Sequence, residues 1–93
     1  MKCFVWDEEK NLVLKEGRGV SFEMVLQAME DGRLLDVLEH PNKEKYGSQR
    51  LYVVRIDRYA WIVPFEDRGE ERILKTIFPS RRYTRLYISR EEN

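Results

Sequence analysis

The sequence predicts an α+β fold: two N-terminal helices, a largely antiparallel sheet of about five strands ending in a meander, and a basic C-terminal helix. Three features carry that expectation. Phe22, Val25, Leu26 and Met29 recur at i, i+3, i+4 and i+7, the spacing of one buried helix face. Beyond Arg33 the pattern shortens into apolar runs separated by turn residues, as strands require. Pro79-Ser80 then divides the last run from an arginine-rich stretch with helical spacing. Helices and strands are therefore largely segregated along the chain. At 93 residues there is room for one domain, residues 1–93, with a thin core.

Lys2–Trp6 (KCFVW) reads as a short strand. Asp7 caps the first helix, whose opening turn carries Glu8 and Glu9, where negative charge suits the helix dipole. Gly17-Arg18-Gly19 ends it. Ser21 caps the second helix, with Val20 placed to pack on Val25, and Asp31-Gly32 stops it. Leu34–Glu39 is expected as a strand, His40–Ser48 as a polar loop, and Arg50–Ile56 as a second strand. Asp57-Arg58 turns the chain into Tyr59–Phe65; Asp67–Glu70 turns it again into a last strand, Arg72–Phe78. A helix follows from Ser80 to about Arg90. Tyr59–Phe65 (YAWIVPF) is uncharged on both faces, so both are expected to be covered, by the N-terminal helices or by a second chain. Pro64 cannot donate to a ladder and marks an edge or a bulge.

Composition narrows the function classes. The 12% aromatic content and the balance of 17 Lys+Arg against 17 Asp+Glu argue against disorder. No apolar run approaches the roughly 20 residues that span a bilayer, and no signal-peptide layout is seen, so a cytoplasmic location away from membranes is expected. A lone cysteine, Cys3, allows neither an internal disulfide nor a thiolate zinc site. No phosphate-binding glycine loop, Cys/His cluster or nucleophile elbow occurs, and no cofactor is expected. The zero net charge conceals an asymmetry. Residues 1–71 hold 11 basic and 15 acidic side chains, whereas residues 72–93 hold 6 and 2. Such a basic quarter on a neutral chain points to a local anion site.

That site centres on Ser80-Arg81-Arg82-Tyr83-Thr84-Arg85. On a helix capped by Ser80, Arg81, Arg82 and Arg85 share a basic face. Arginines in a first helical turn oppose the dipole and suit a bound phosphate. Cleaving RNA without a metal requires a base for the 2′-hydroxyl, cations for the phosphate, and an acid for the 5′-oxygen. Arg50 is a further candidate cation; Lys75, Tyr83 and Tyr87 are candidate proton carriers. The residues alone leave cleavage and plain binding equally open.

Phe4-Val5-Trp6-Asp7-Glu8-Glu9-Lys10-Asn11, Gly19-Val20-Ser21-Phe22-Glu23 and Ile77-Phe78-Pro79-Ser80-Arg81-Arg82, with Thr84 and Tyr87, resemble in order the BrnT-type toxins of bacterial type II toxin–antitoxin systems. The stretch Lys15-Glu16-Gly17-Arg18-Gly19 departs from that family's Lys-His-Gly. The resemblance implies a RelE-like ribonuclease fold and cleavage of mRNA. It also implies a small DNA-binding antitoxin as cognate partner, within a homodimer or a toxin–antitoxin hetero-oligomer. By position it implies a catalytic set of Arg50, Lys75, Arg81, Arg82 and Tyr87, with Lys10 contacting RNA; Arg85 is a further candidate RNA contact from its place on the basic face. The alternatives are a non-catalytic RNA- or protein-binding module, or a toxin-family member without activity.

Overall fold

The computed structural model describes residues 2–88. Their order is β1 (Cys3–Val5), α1 (Glu8–Arg18), α2 (Phe22–Glu30), β2 (Leu34–Glu39), α3 (Lys43–Tyr46), β3 (Gln49–Ile56), β4 (Tyr59–Arg68), β5 (Glu71–Leu74), β6 (Phe78–Pro79) and α4 (Arg81–Tyr83), which runs into a π-helical turn, Thr84–Ile88. The fold is α+β. Its mixed sheet has the order β1-β5-β4-β3-β2, with β6 also paired to β4. β2 through β5 form an antiparallel meander, and β1 lies parallel to β5.

The helix caps arise from local chemistry. The Asp7 carboxylate accepts the N–H groups of Glu9 and Lys10, and Ser21 Oγ accepts that of Met24. Gly19 closes α1 in the left-handed region, φ 68°, where a side chain is disfavoured. Between the two helices lies a polar clasp. Asn11 is fully buried; its Oδ1 accepts the Phe22 N–H at 2.8 Å, and its Nδ2 donates to Glu23 at 2.7 Å and to Glu8 at 3.1 Å. Trp6 stacks on Phe22, 5.5 Å between centroids. Trp6, Asn11 and Phe22 thus lock α1 to α2.

Strand parity assigns the two sheet faces. Tyr52, Val54, Ile56, Val63, Phe65 and Leu74 face α1 and α2 and form the main core with Leu14, Val20, Phe22, Val25 and Ala28. On the opposite face, Val53 and Ala60 pack on Ile88 of the π-helical turn, with Leu35, Leu38, Tyr83 and Tyr87 around them. Both faces of β4 are therefore covered in part by the chain's own helices.

Three expected elements differ. The strand expected over Arg72–Phe78 is two strands, because Pro64 directs its nitrogen toward that side of β4 and has no hydrogen to donate. β5 ends opposite Phe65, Lys75 N–H donates to the Pro64 carbonyl, and the chain rejoins β4 only at Phe78, opposite Ile62. Within the expected loop His40–Ser48, Asn42 Oδ1 accepts the Lys45 N–H and starts α3. Gly47 ends α3 where any Cβ would stand 2.6 Å from the Lys43 carbonyl oxygen. The C-terminal helix is α-helical only over Arg81–Tyr83 before it widens. Thr84 Oγ1 donates to the Ser80 carbonyl at 2.7 Å, beside the Thr84 N–H bond to the same oxygen, and accepts the Ala60 N–H. Arg90 lies outside the described residues.

Candidate nucleic-acid interface

The arginine-rich segment is riveted to the start of β4. Ser80 N–H donates to the Ala60 carbonyl, Ser80 Oγ accepts the Tyr83 N–H, and Thr84 holds the Ala60 N–H. A three-residue helix carries little macrodipole, so the attraction of this segment for anions rests on its side chains. Arg81, Arg82 and Arg85 are exposed, and among the described residues no acid forms an ion pair with them. The Arg82 guanidinium lies over the Tyr83 ring, 5.6 Å from its centroid.

Beside them the second sheet face opens into a cavity of about 460 Å³. Leu38, Leu51, Ile62 and Phe78 line it from four strands, Arg82 and Tyr83 from α4, and His40-Pro41 from the end of β2. His40 Nδ1 accepts the Asn42 N–H at 3.1 Å, which leaves the neutral ring's hydrogen on Nε2 as a donor. The Tyr46 ring lies 4.5 Å from the imidazole. Glu39 also borders the cavity; the hydrogen bond from Lys43 and that ammonium's charge hold its carboxyl below the usual range. An apolar floor rimmed by guanidinium, phenol ring and imidazole can stack a base while it grips a phosphate.

The remaining expected site residues lie elsewhere. Arg50 pairs with Phe65 across the β3–β4 ladder and so points to the α1/α2 face, away from Arg82. There Arg50 and Arg72 stand 5.0 and 4.9 Å from the Phe65 ring centroid. Arg72 forks onto Asp67 at 2.6 and 2.8 Å and donates to the Tyr52 hydroxyl at 2.7 Å, while Arg50 comes within 4.0 Å of Asp67. The Arg72 hydrogen bond holds the Asp67 carboxyl below its ordinary value and raises that of Arg72 itself. Arg50 thus belongs to an ion-paired cluster.

Lys75 sits just past β5, and its charge falls on Glu66 of the second face. Glu66 is lowered chiefly by its hydrogen bond from Ser48, then by that from Arg68. The Tyr87 hydroxyl donates to Asp36, which raises its pKa and keeps the phenol protonated. The Tyr87 ring stacks on Tyr83 at 6.0 Å, one layer behind the cavity. Lys10 is exposed on α1, in the other helix layer. The structure therefore gathers Arg81, Arg82 and Arg85 with Tyr83 and Tyr87, and separates them from Arg50 and Lys10. It adds His40, which the sequence presents as a loop residue. The alternation Asp36-Leu38-His40, which continues one face of β2, is the signal that points to it.

Compared with known proteins, the chain matches no family model, no curated protein and no solved structure.

Proposed function

We propose that the chain binds RNA across the α4 face and acts as a ribonuclease toxin that cleaves mRNA without a metal, neutralised by a small DNA-binding antitoxin that covers the same face. One observation carries this reading: Arg81, Arg82 and Arg85 form no ion pair with a described acid, and Arg82 lines a largely apolar cavity that also holds the chain's only histidine. Elsewhere in the fold Arg50 and Arg72 share Asp67 and Arg68 pairs with Glu66, while Arg33 and Arg58, like the α4 arginines, form no ion pair with a described acid. Three cations left together raise the local potential unless an anion joins them.

In this reading Arg81 and Arg82 hold the scissile phosphate, and His40 Nε2 donates to one of its oxygens. The 2′-oxygen attacks phosphorus and the bond to the 5′-oxygen breaks, leaving a 2′,3′-cyclic phosphate and a 5′-hydroxyl. The base takes the 2′-hydroxyl proton and the acid returns one to the departing oxygen. Inducible expression should arrest growth, and Arg81→Ala with Arg82→Ala should abolish the arrest while leaving the melting temperature unchanged. Equal toxicity of the double variant overturns the assignment.

A non-catalytic RNA-binding module is favoured by one specific observation. His40 has the tautomer of a donor and the Tyr87 hydroxyl is committed to Asp36, so neither is placed as a base. RNA binding without cleavage by the purified chain selects this alternative.

A further inference from the structure

The β3–β4 hairpin carries a second concavity whose lining residues are distinct from those of the Arg82 cavity. Its outer part, about 600 Å³, is lined by Arg33, Arg55, Asp57 and Arg58. An inner part of about 180 Å³ shares Arg33, Arg55 and Asp57 and continues onto Met24, Gln27, Ala28 and Ile56. The backbone fixes this grouping. Arg33 N–H donates to the Ala28 carbonyl at the end of α2, and the Arg33 carbonyl accepts the Arg55 N–H, so the helix terminus and the hairpin are tied together. Arg55 Nε donates to the Asp57 carbonyl across the turn. Asp57 takes φ 58°, a conformation that aspartate and asparagine tolerate better than other residues with side chains.

Among the described residues, three guanidinium groups and one carboxylate thus line this concavity. Arg33 and Arg58 form no ion pair with a described acid. Guanidinium forks match the oxygens of a phosphate, and the exposed Met24 offers an apolar contact to a ring, with the core residues Ala28 and Ile56 closing the floor behind it. We propose that this concavity is a binding site for a nucleoside phosphate unit, its phosphate held by Arg33 and Arg58 and its base laid against Met24. The site is independent of the ribonuclease reading. Its ligand is a free nucleotide or the 5′-phosphorylated end of an RNA strand, the two sources of the same chemistry.

The test is a titration of the isotope-labelled chain, followed by amide resonances, with adenosine 5′-monophosphate, with adenosine, and with a 5′-phosphorylated 2′-O-methyl oligoadenylate. The monophosphate should shift Met24, Ala28, Arg33 and the Arg55–Arg58 turn, and adenosine should bind more weakly by about tenfold at least. Arg33→Ala with Arg58→Ala, both exposed positions, should weaken the monophosphate about tenfold. Asp57→Asn keeps a residue that accepts this φ and removes the carboxylate, so it should tighten binding about twofold or more. Arg81→Ala with Arg82→Ala should leave it unchanged, whatever those residues do to RNA cleavage. A large gain for the oligonucleotide assigns an RNA end; equal affinity assigns a free nucleotide. The proposal is overturned if neither phosphate ligand perturbs these residues, if adenosine binds as well as its monophosphate, if the arginine variant keeps full affinity, or if Asp57→Asn brings no gain.

Discussion

Removing the Asn11 side chain tests the clasp that sets α1 on α2. In Asn11→Ala the Phe22 N–H loses its acceptor at a fully buried position, which costs about 1–3 kcal/mol. The bonds to Glu8 and Glu23 add little, because the Glu23 side chain is 54% exposed and regains water when freed. Lost packing of the amide brings the total to about 2–3 kcal/mol. For a domain of this size that lowers the melting temperature by about 10–20 °C, read by circular dichroism. Asn11→Asp sharpens the test. It keeps an acceptor for Phe22 but turns the two donors into an acceptor facing two carboxylates. It should be at least as destabilising at pH 7 and recover in part near pH 4, as the crowded carboxyls take up protons. A loss below about 1 kcal/mol for Asn11→Ala, or a wild-type melting temperature for Asn11→Asp at pH 7, refutes the clasp.

Tyr87→Phe removes the hydroxyl that ties the π-helical turn to β2 through Asp36, and should cost about 1 kcal/mol in urea unfolding while RNA affinity holds. A variant as stable as the parent but unable to arrest growth would instead make the phenol a direct participant. Glu23, Glu39, Glu66 and Asp67 all have carboxyl pKa values lowered by hydrogen bonds, so the fold binds their protons more weakly than the unfolded chain does. Their stabilisation is complete above the ordinary glutamate value of 4.5 and drains as pH falls through the lowered values. The urea midpoint should therefore drop between pH 5 and pH 3, and drop less in high salt because these groups are largely exposed. A midpoint that rises over that interval contradicts the pairing.

The parts of the fold legible in the sequence are those set by neighbours in the chain. Asp7, Ser21 and Gly19 act within one helical turn, and the turn at Asp57-Arg58 is equally local. Pro64 announces a ladder defect, but which neighbouring strand is broken depends on which side of β4 its nitrogen faces, a matter of register. Asn11 reads as an ordinary surface polar residue; its acceptor role spans eleven positions and emerges only when α2 docks. The site follows the same division. Arg81, Arg82 and Arg85 come together because a Ser80-capped turn places them together. Arg50 is separated from them by strand parity, which spacing alone does not encode. The cavity itself is built from four strands whose order the sequence does not state.

Under the proposed function, RNA phosphates meet the arginines of α4 and its π-helical turn and not the ion-paired cluster on the α1/α2 face. Arginine side-chain Nε resonances, followed while an uncleavable 2′-O-methyl RNA is added to the wild-type chain, test this directly. Arg81, Arg82 and Arg85 should move and return on addition of salt, while Arg50 and Arg72 stay in place. Movement of Arg50 and Arg72 with silent α4 arginines would put the RNA on the other face and contradict the account.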